Sequence, residues 1–281
     1  MTTALPDQFL ELRVDKLVLD PPYAALCAGF EGGAWRSKAL AYHIFNWLPF
    51  AALNQEHQLA FGANNFVDML RLAAAHVYKT KKTVSRGEIG ELLLHLACVQ
   101  HFGTAPVLCK LVLKTSHNDT VKGFDAVHIL PLKDDYEIWL GESKFYSDPR
   151  RSIRDAVTSI KSHLLPAFLS TEKAMIYGHI GDDIPHRDQL TTLFKAQTSS
   201  DELLSHAVFP VLIAYNSQTS AAFDALSDQY VSDLTNEVEA LKDLFAAELG
   251  QVKIRFVLIF VPLATKQLLV ESFDKLLEPF L

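Results

Sequence analysis

The chain has 281 residues, of which 49% are hydrophobic and 21% charged, with a formal net charge of −7 at pH 7; it is long enough for a sizeable core and has the balance of a soluble globular protein. The negative charge argues against a stand-alone nucleic-acid binder, whose non-specific grip comes from Lys and Arg on phosphates. No apolar run approaches the roughly 20 residues of a membrane span, and an N-terminus with Asp7 and Glu11 but no basic and apolar leader leads us to expect a cytoplasmic protein with no membrane partner.

Residues Phe9–Leu19 alternate apolar and polar and read as a half-buried strand, stopped by Pro21-Pro22. Gly32-Gly33 precede a helix around Trp35–Trp47, whose Trp35, Tyr42, Phe45 and Trp47 read as packing surface. Asn64–Tyr78 places Phe66, Met69, Leu70 and Leu72 at helical spacing. None of these stretches carries recognisable chemistry. The basic turn Lys79–Val84 is the best boundary, dividing an N-terminal accessory region (1–80), suited to docking a partner, from a domain spanning 81–281. Lys79, Lys81, Lys82 and Arg86 make a basic patch there, either solvated surface or a weak DNA contact. Cys27, Cys98 and Cys109 lack metal-ligand spacing and read as buried free thiols.

Ser85 with Glu88 three residues later fits a capping box, and Ile89, Leu92, Leu93 and Leu96 form one face of a helix ending near Gly103. Glu88, Glu91 and His95 share another stripe. Glu88 is explained by the cap and His95 reads as a polar-face residue, whereas Glu91 is unexplained and is the better candidate for an extra carboxylate. Ala105–Lys114 is a strand leading into a hairpin, Phe124–Leu130 and Tyr136–Phe145 around a short polar loop. With a loop of Leu132–Asp135, Asp125 lies across from Glu142, and alternation puts Lys144 on the same face. That face is otherwise oily, so the charges need a partner or a metal. Two close carboxylates suit a hard divalent cation that activates water at a phosphodiester, with the lysine positioning that water. The bland alternative is a buried Asp–Lys–Glu ion cluster or a lysine that snorkels to the strand end.

Pro149–Leu165 reads as a helix with Ile153, Val157, Ile160 and Leu164 on one face, closed by Pro166. Arg150, Arg151 and Arg154 make a second basic patch, again either solvated helix surface or a weak DNA contact. There follow a helix near Ser170–Tyr177, a strand at Ala207–Tyr215, helices across Ser220–Leu249, a strand at Lys253–Val261 and a helix from Thr265. His179, Asp182, Asp183 and His186 match no ligand spacing and read as loop polarity.

The order helix, strand, hairpin, helix, strand, with Gly-Phe-Asp at Gly123–Asp125 and Gly-Glu-Ser-Lys at Gly141–Lys144, resembles the PD-(D/E)XK nuclease superfamily. Gly87–Glu91 also resembles that superfamily's first-helix signature; a proline before Asp125 is lacking. The resemblance covers about 60 residues. It implies an α/β (α+β) restriction-endonuclease-like αβββαβ core, a mixed central sheet flanked by helices. It further implies Mg2+ (or Mn2+) held by Asp125, Glu142, the Ser143 carbonyl and Glu91, with Lys144 orienting the attacking water. More narrowly, the runs SRGEIGELLLHLA, GFDAVHI and WLGESKFYSD are similar to the HamA family, nuclease subunits of the Hachiman anti-phage defence system. That likeness implies DNA as substrate and a superfamily 2 helicase, HamB, as restraining partner. The alternative is a catalytically silent nuclease-like module that binds DNA or a helicase.

Overall fold

The computed structural model describes residues 4–77, 86–113, 123–133 and 135–281. Strand β1 (Glu11–Lys16) pairs antiparallel with β2 (Tyr23–Cys27). β2 was not anticipated: all five of its residues are buried, so it shows no alternation to mark it. Gly32-Gly33 turn a small hairpin, β3 (Phe30–Glu31) and β4 (Ala34–Trp35), so Trp35 precedes the helix expected over it. Then come α1 (Ser37–Asn46), the short α2 (Leu48–Ala52) and α3 (Gln55–Ala60), and α4 (Phe66–Val77).

Helix α5 (Gly87–Phe102) ends on Gly103 in the left-handed conformation, as expected. Its start differs from the expected capping box, since Arg86 is the N-cap residue and Ser85 lies outside the described residues. Every residue from Ile89 to Cys98 is buried, so α5 has no solvent stripe. His95 is therefore a core residue and not a polar-face one, packed edge-on between the Trp47 and His128 rings. Burial lowers its imidazole to about 4.

β5 (Ala105–Cys109) is half as long as the expected strand, because the chain winds into a 3-10 turn at Lys110–Leu113. The hairpin is present as β6 (Ala126–Pro131) and β7 (Tyr136–Phe145). α6 (Pro149–His163) buries Ile153, Val157 and Ile160. Pro166 does not merely close it but opens α7 (Pro166–Tyr177), in the first-turn position proline tolerates. α8 (Arg187–Leu193) and α9 (Ser200–His206) lead to β8 (Ala207–Asn216). α10 (Gln218–Ala222), α11 (Asp228–Leu249), β9 (Arg255–Leu263) and α12 (Lys266–Leu277) complete the chain.

One mixed seven-stranded sheet has the order β1-β2-β9-β8-β7-β6-β5. β2, β9, β8 and β7 are parallel neighbours, and β1, β6 and β5 pair antiparallel at the two sides. Side chains alternate across it. Trp139, Phe145, Leu212 and Ile259 face one apolar cluster with α1, α2, α4, α5 and α12, while Ile138, Leu140, Val211 and Phe260 face two clusters built with α6 to α9 and α11. The architecture is thus the mixed α/β sheet flanked by helices that the sequence leads one to expect. The boundary expected at residues 79–84 falls outside the described residues; the strands β1 and β2 before it belong to this same sheet. Cys27, Cys98 and Cys109 are buried and take part in no disulfide among the described residues. Among the described residues no helix is long and apolar enough to cross a membrane.

Candidate active site

The hairpin register runs from Pro131 opposite Tyr136 to Ala126 opposite Gly141. One further step sets Asp125 across from Glu142, and the Asp125 amide donates to the Gly141 carbonyl at 2.9 Å. One Asp125 oxygen, Oδ2, accepts from both the amide and the hydroxyl of Ser143, each at 2.8 Å. The other, Oδ1, accepts from Lys110 Nζ at 3.1 Å. Glu142 Oε1 lies 2.5 Å from Lys144 Nζ, which also donates to Ser159 Oγ of α6 at 3.1 Å. Glu142 Oε2 lies 3.7 Å from His163 Nδ1.

These groups line one cleft of about 610 Å³ with Glu91, Gly87 and Gly123. Glu91 reaches it because α5 lies unusually close to β7. A Cβ on Gly90 would sit 3.1 Å from Phe145 Cβ, and one on Gly141 would sit 2.8 Å from Leu94 Cδ2. Two glycines, Gly90 of the helix against Phe145 and Gly141 of the strand beneath Leu94, thus set the depth at which Glu91 enters.

The electrostatics are those of an anion-rich cleft with its own ammonium groups. Burial, reinforced by Asp125, raises the Glu142 carboxyl well above its ordinary value, against the pull of Lys144 and Ser159. For both Lys144 and Lys110 burial works against the charge. The neighbouring carboxylates outweigh it and hold both ammoniums above the usual lysine value. Burial lowers His163 to about 4, which leaves a neutral imidazole stacked on Phe168 with ring centroids 4.3 Å apart.

Asp125, Glu142, Ser143, Lys144 and Glu91, all proposed from sequence, are brought together here. Arg150, Arg151 and Arg154 are exposed on the first turns of α6, and Arg151 lies over the ring of Tyr146, a cleft residue, at 5.1 Å. Lys81 and Lys82 fall outside the described residues. Arg86 needs correction as a DNA contact: it is 3% exposed and ion-paired with Asp274 of α12 at 3.0 Å, so its guanidinium anchors a helix. In the loop after α7, Asp182 pairs with Arg187, and His186 packs on Tyr136.

Sequence reasoning missed Lys110, Ser159, His163 and Glu172. Lys110 reads as mid-strand until the 3-10 turn swings it towards Asp125. Glu172 on α7 accepts from the Phe124 amide at 3.1 Å, next to Asp125. Gly123 leaves room for it: its φ is +151°, and a Cβ there would stand 3.0 Å from both Glu172 carboxylate oxygens. Burial raises Glu172 to about 7, partly offset by the Phe124 amide and Lys110. A carboxyl raised on folding stabilises the fold below its ordinary value, and that contribution is lost as pH rises towards 7. Glu172→Gln keeps an acceptor for Phe124 but does not ionise. Its stability relative to the parent is therefore expected to improve by about 1–2 kcal/mol between pH 5 and pH 8. Calorimetric melts across that range check this; parallel curves for the two proteins would refute it.

The donor set suits a hard divalent cation. No three His, Cys, Asp or Glu among the described residues are gathered into a closed shell. Two carboxylates on an open cleft are, however, what Mg2+ uses when it keeps several waters and takes the rest of its oxygens from a phosphate.

The profile of the HamA family matches residues 4–277. Anti-bacteriophage protein A of Escherichia coli (strain K12) is 22% identical over 243 residues, which cover 81% of this chain and 44% of that protein. The chain thus spans less than half the length of this curated relative.

Proposed function

The chain belongs to the HamA family, and from that premise we propose that it is a metal-dependent deoxyribonuclease acting in anti-phage defence. The observation that carries this reading is the meeting of Asp125, Glu142 and Lys144 at the C-terminal end of β7, in a cleft that Glu91 also enters. Asp125 and Glu142 would hold Mg2+, with Mn2+ as a substitute, assisted by the Ser143 carbonyl and by Glu91 directly or through water. When bound, that cation neutralises charge on the scissile phosphate and makes a water more acidic.

The remaining work falls to the protein. Ser143 fixes one Asp125 oxygen through two hydrogen bonds and leaves the other facing the cleft. Lys144, tethered between Glu142 and Ser159, holds an ammonium where it can orient the attacking water and offset charge developing on the phosphate. Arg151, over the ring of Tyr146 at the cleft edge, offers positive charge to a flanking phosphate, and the exposed Arg150 and Arg154 would serve phosphates farther from the cleft. A chain of net charge −7 gains from a partner that grips DNA. We assign that role to the HamB helicase, which would restrain the nuclease until foreign or damaged DNA is sensed.

The test is plasmid cleavage by the purified chain with Mg2+ and with EDTA, alone and with the helicase and ATP. Cleavage that needs the metal is expected; metal-independent cleavage, or none in any combination, would remove the reading. One observation favours a silent DNA- or helicase-binding scaffold instead: Lys110 and Lys144 already pair with both carboxylates. A scaffold predicts no rise in melting temperature with Mg2+, whereas a cation bound only by the folded state must raise it.

A further inference from the structure

We propose that Lys110 is the resident counter-ion of the cleft, an ammonium that a divalent cation must displace from Asp125 before it can bind. This deepens the metal-dependent reading above and rests on it. The two oxygens of Asp125 are held differently. Oδ2 is fixed by the amide and hydroxyl of Ser143, within the hairpin itself. Oδ1 is held by Lys110 Nζ at 3.1 Å, and that ammonium lies at the end of a flexible side chain. Only Oδ1 can therefore be exchanged without disturbing the sheet.

The backbone holds Lys110 at this place. Its amide donates to the Asp125 carbonyl at 3.1 Å, so the 3-10 turn after β5 is pinned to the residue whose side chain it neutralises. The Gly123 carbonyl, 3.4 Å from Nζ, gives the ammonium a second acceptor. Lys144 cannot take over this role, being committed to Glu142 of its own strand and to Ser159 of α6. Among the described residues, and fully ionised, the cleft's three carboxylates (Asp125, Glu142 and Glu91) face two ammoniums, a net charge of −1. Without Lys110 it would be −2. A divalent cation would then meet a stronger field and be spared the competition of Lys110 at Oδ1.

The proposal predicts an effect opposite in sign to that of a structural lysine. If Lys110 only oriented Asp125, its loss would weaken cation binding. If it competes, its loss strengthens binding. The experiment measures melting temperature against Mg2+ concentration at constant ionic strength for the parent, Lys110→Met and Lys110→Arg. Lys110→Met is expected to reach half-maximal stabilisation at a Mg2+ concentration about fivefold lower, or more, and Lys110→Arg to stay near the parent. Lys110→Gln replaces Lys110→Met if the latter does not fold. An unchanged or higher midpoint in the uncharged variant, with the parent responding to Mg2+, overturns the counter-ion role alone. No response in the parent overturns the metal site itself and this role with it.

Discussion

Glu142→Ala is expected to lower Mg2+-dependent cleavage by about a thousandfold or more and to leave the fold standing. The catalytic loss follows from the small donor set, since Glu142 and Asp125 are the carboxylates that the hairpin register sets opposite one another at the cleft. The modest structural cost follows from how Glu142 is held. Burial and the nearby Asp125 already work against its charge, so the folded state gains little from ionising it. Removing one member of a buried ion pair usually costs several kcal/mol, because the other charge is stranded. Here Lys144 keeps Ser159 and lies at an open cleft, where water can take the place of the lost carboxylate. The double variant Glu142→Ala/Lys144→Ala removes the stranded charge as well. Its cleavage should match that of the single variant, since residues acting as one unit do not add. Its melting temperature should stay within a few degrees of the parent. Metal-dependent cleavage within about tenfold of the parent's by either folded variant would exclude this assignment.

Gly141→Val should have the largest effect on stability. Its first side-chain carbon would lie 2.8 Å from Leu94 Cδ2 and 3.2 Å from the Ala126 carbonyl oxygen, and the branched methyls have still less space. Leu94 and Ala126 are buried to within 1% of complete, so neither has room to withdraw. Overpacking of this kind costs about 3 kcal/mol or more, a fall of roughly 6–10 °C in a chain of this size. It should also cut activity beyond what stability explains, because pushing α5 off the sheet withdraws Glu91 from Glu142. A parent-like melting curve for Gly141→Val would show that the close contact is not what sets the spacing.

The parts of the fold legible in the sequence are those whose pattern is local. Asp125 falls opposite Glu142 because a short polar loop and strict alternation leave one register that buries both faces. The apolar stripe of α6 is equally plain. Three features escape for physical reasons. Tyr23–Cys27 sits between two strands and under helices, so its uniform apolarity hides its period. His95 shares a helical stripe with Glu88 and Glu91, which suggests a polar face, but α5 is covered all round. Lys110 and Glu172 enter the site through contacts 15 and 48 residues away in sequence, which no local pattern encodes. The chemistry of Asp125, Glu142 and Lys144 could be read; the residues that hold Asp125 in place could not.

The burial of α5 from Ile89 to Cys98 also bears on how such a site could be controlled. Its amides from Ile89 to Cys98 have no exposed face at which to open, so they should exchange with solvent deuterium only when the whole domain unfolds. Glu91 is therefore carried on the slowest-exchanging segment of the chain, and melting that helix locally would cost nearly the full folding free energy. A reversible off-state has to be imposed from outside, by covering the mouth bounded by Leu165, Tyr146 and the last turns of α6, at Ser159 and Ser162. In the restrained state, protection should then appear over those exposed elements while α5 stays as it was.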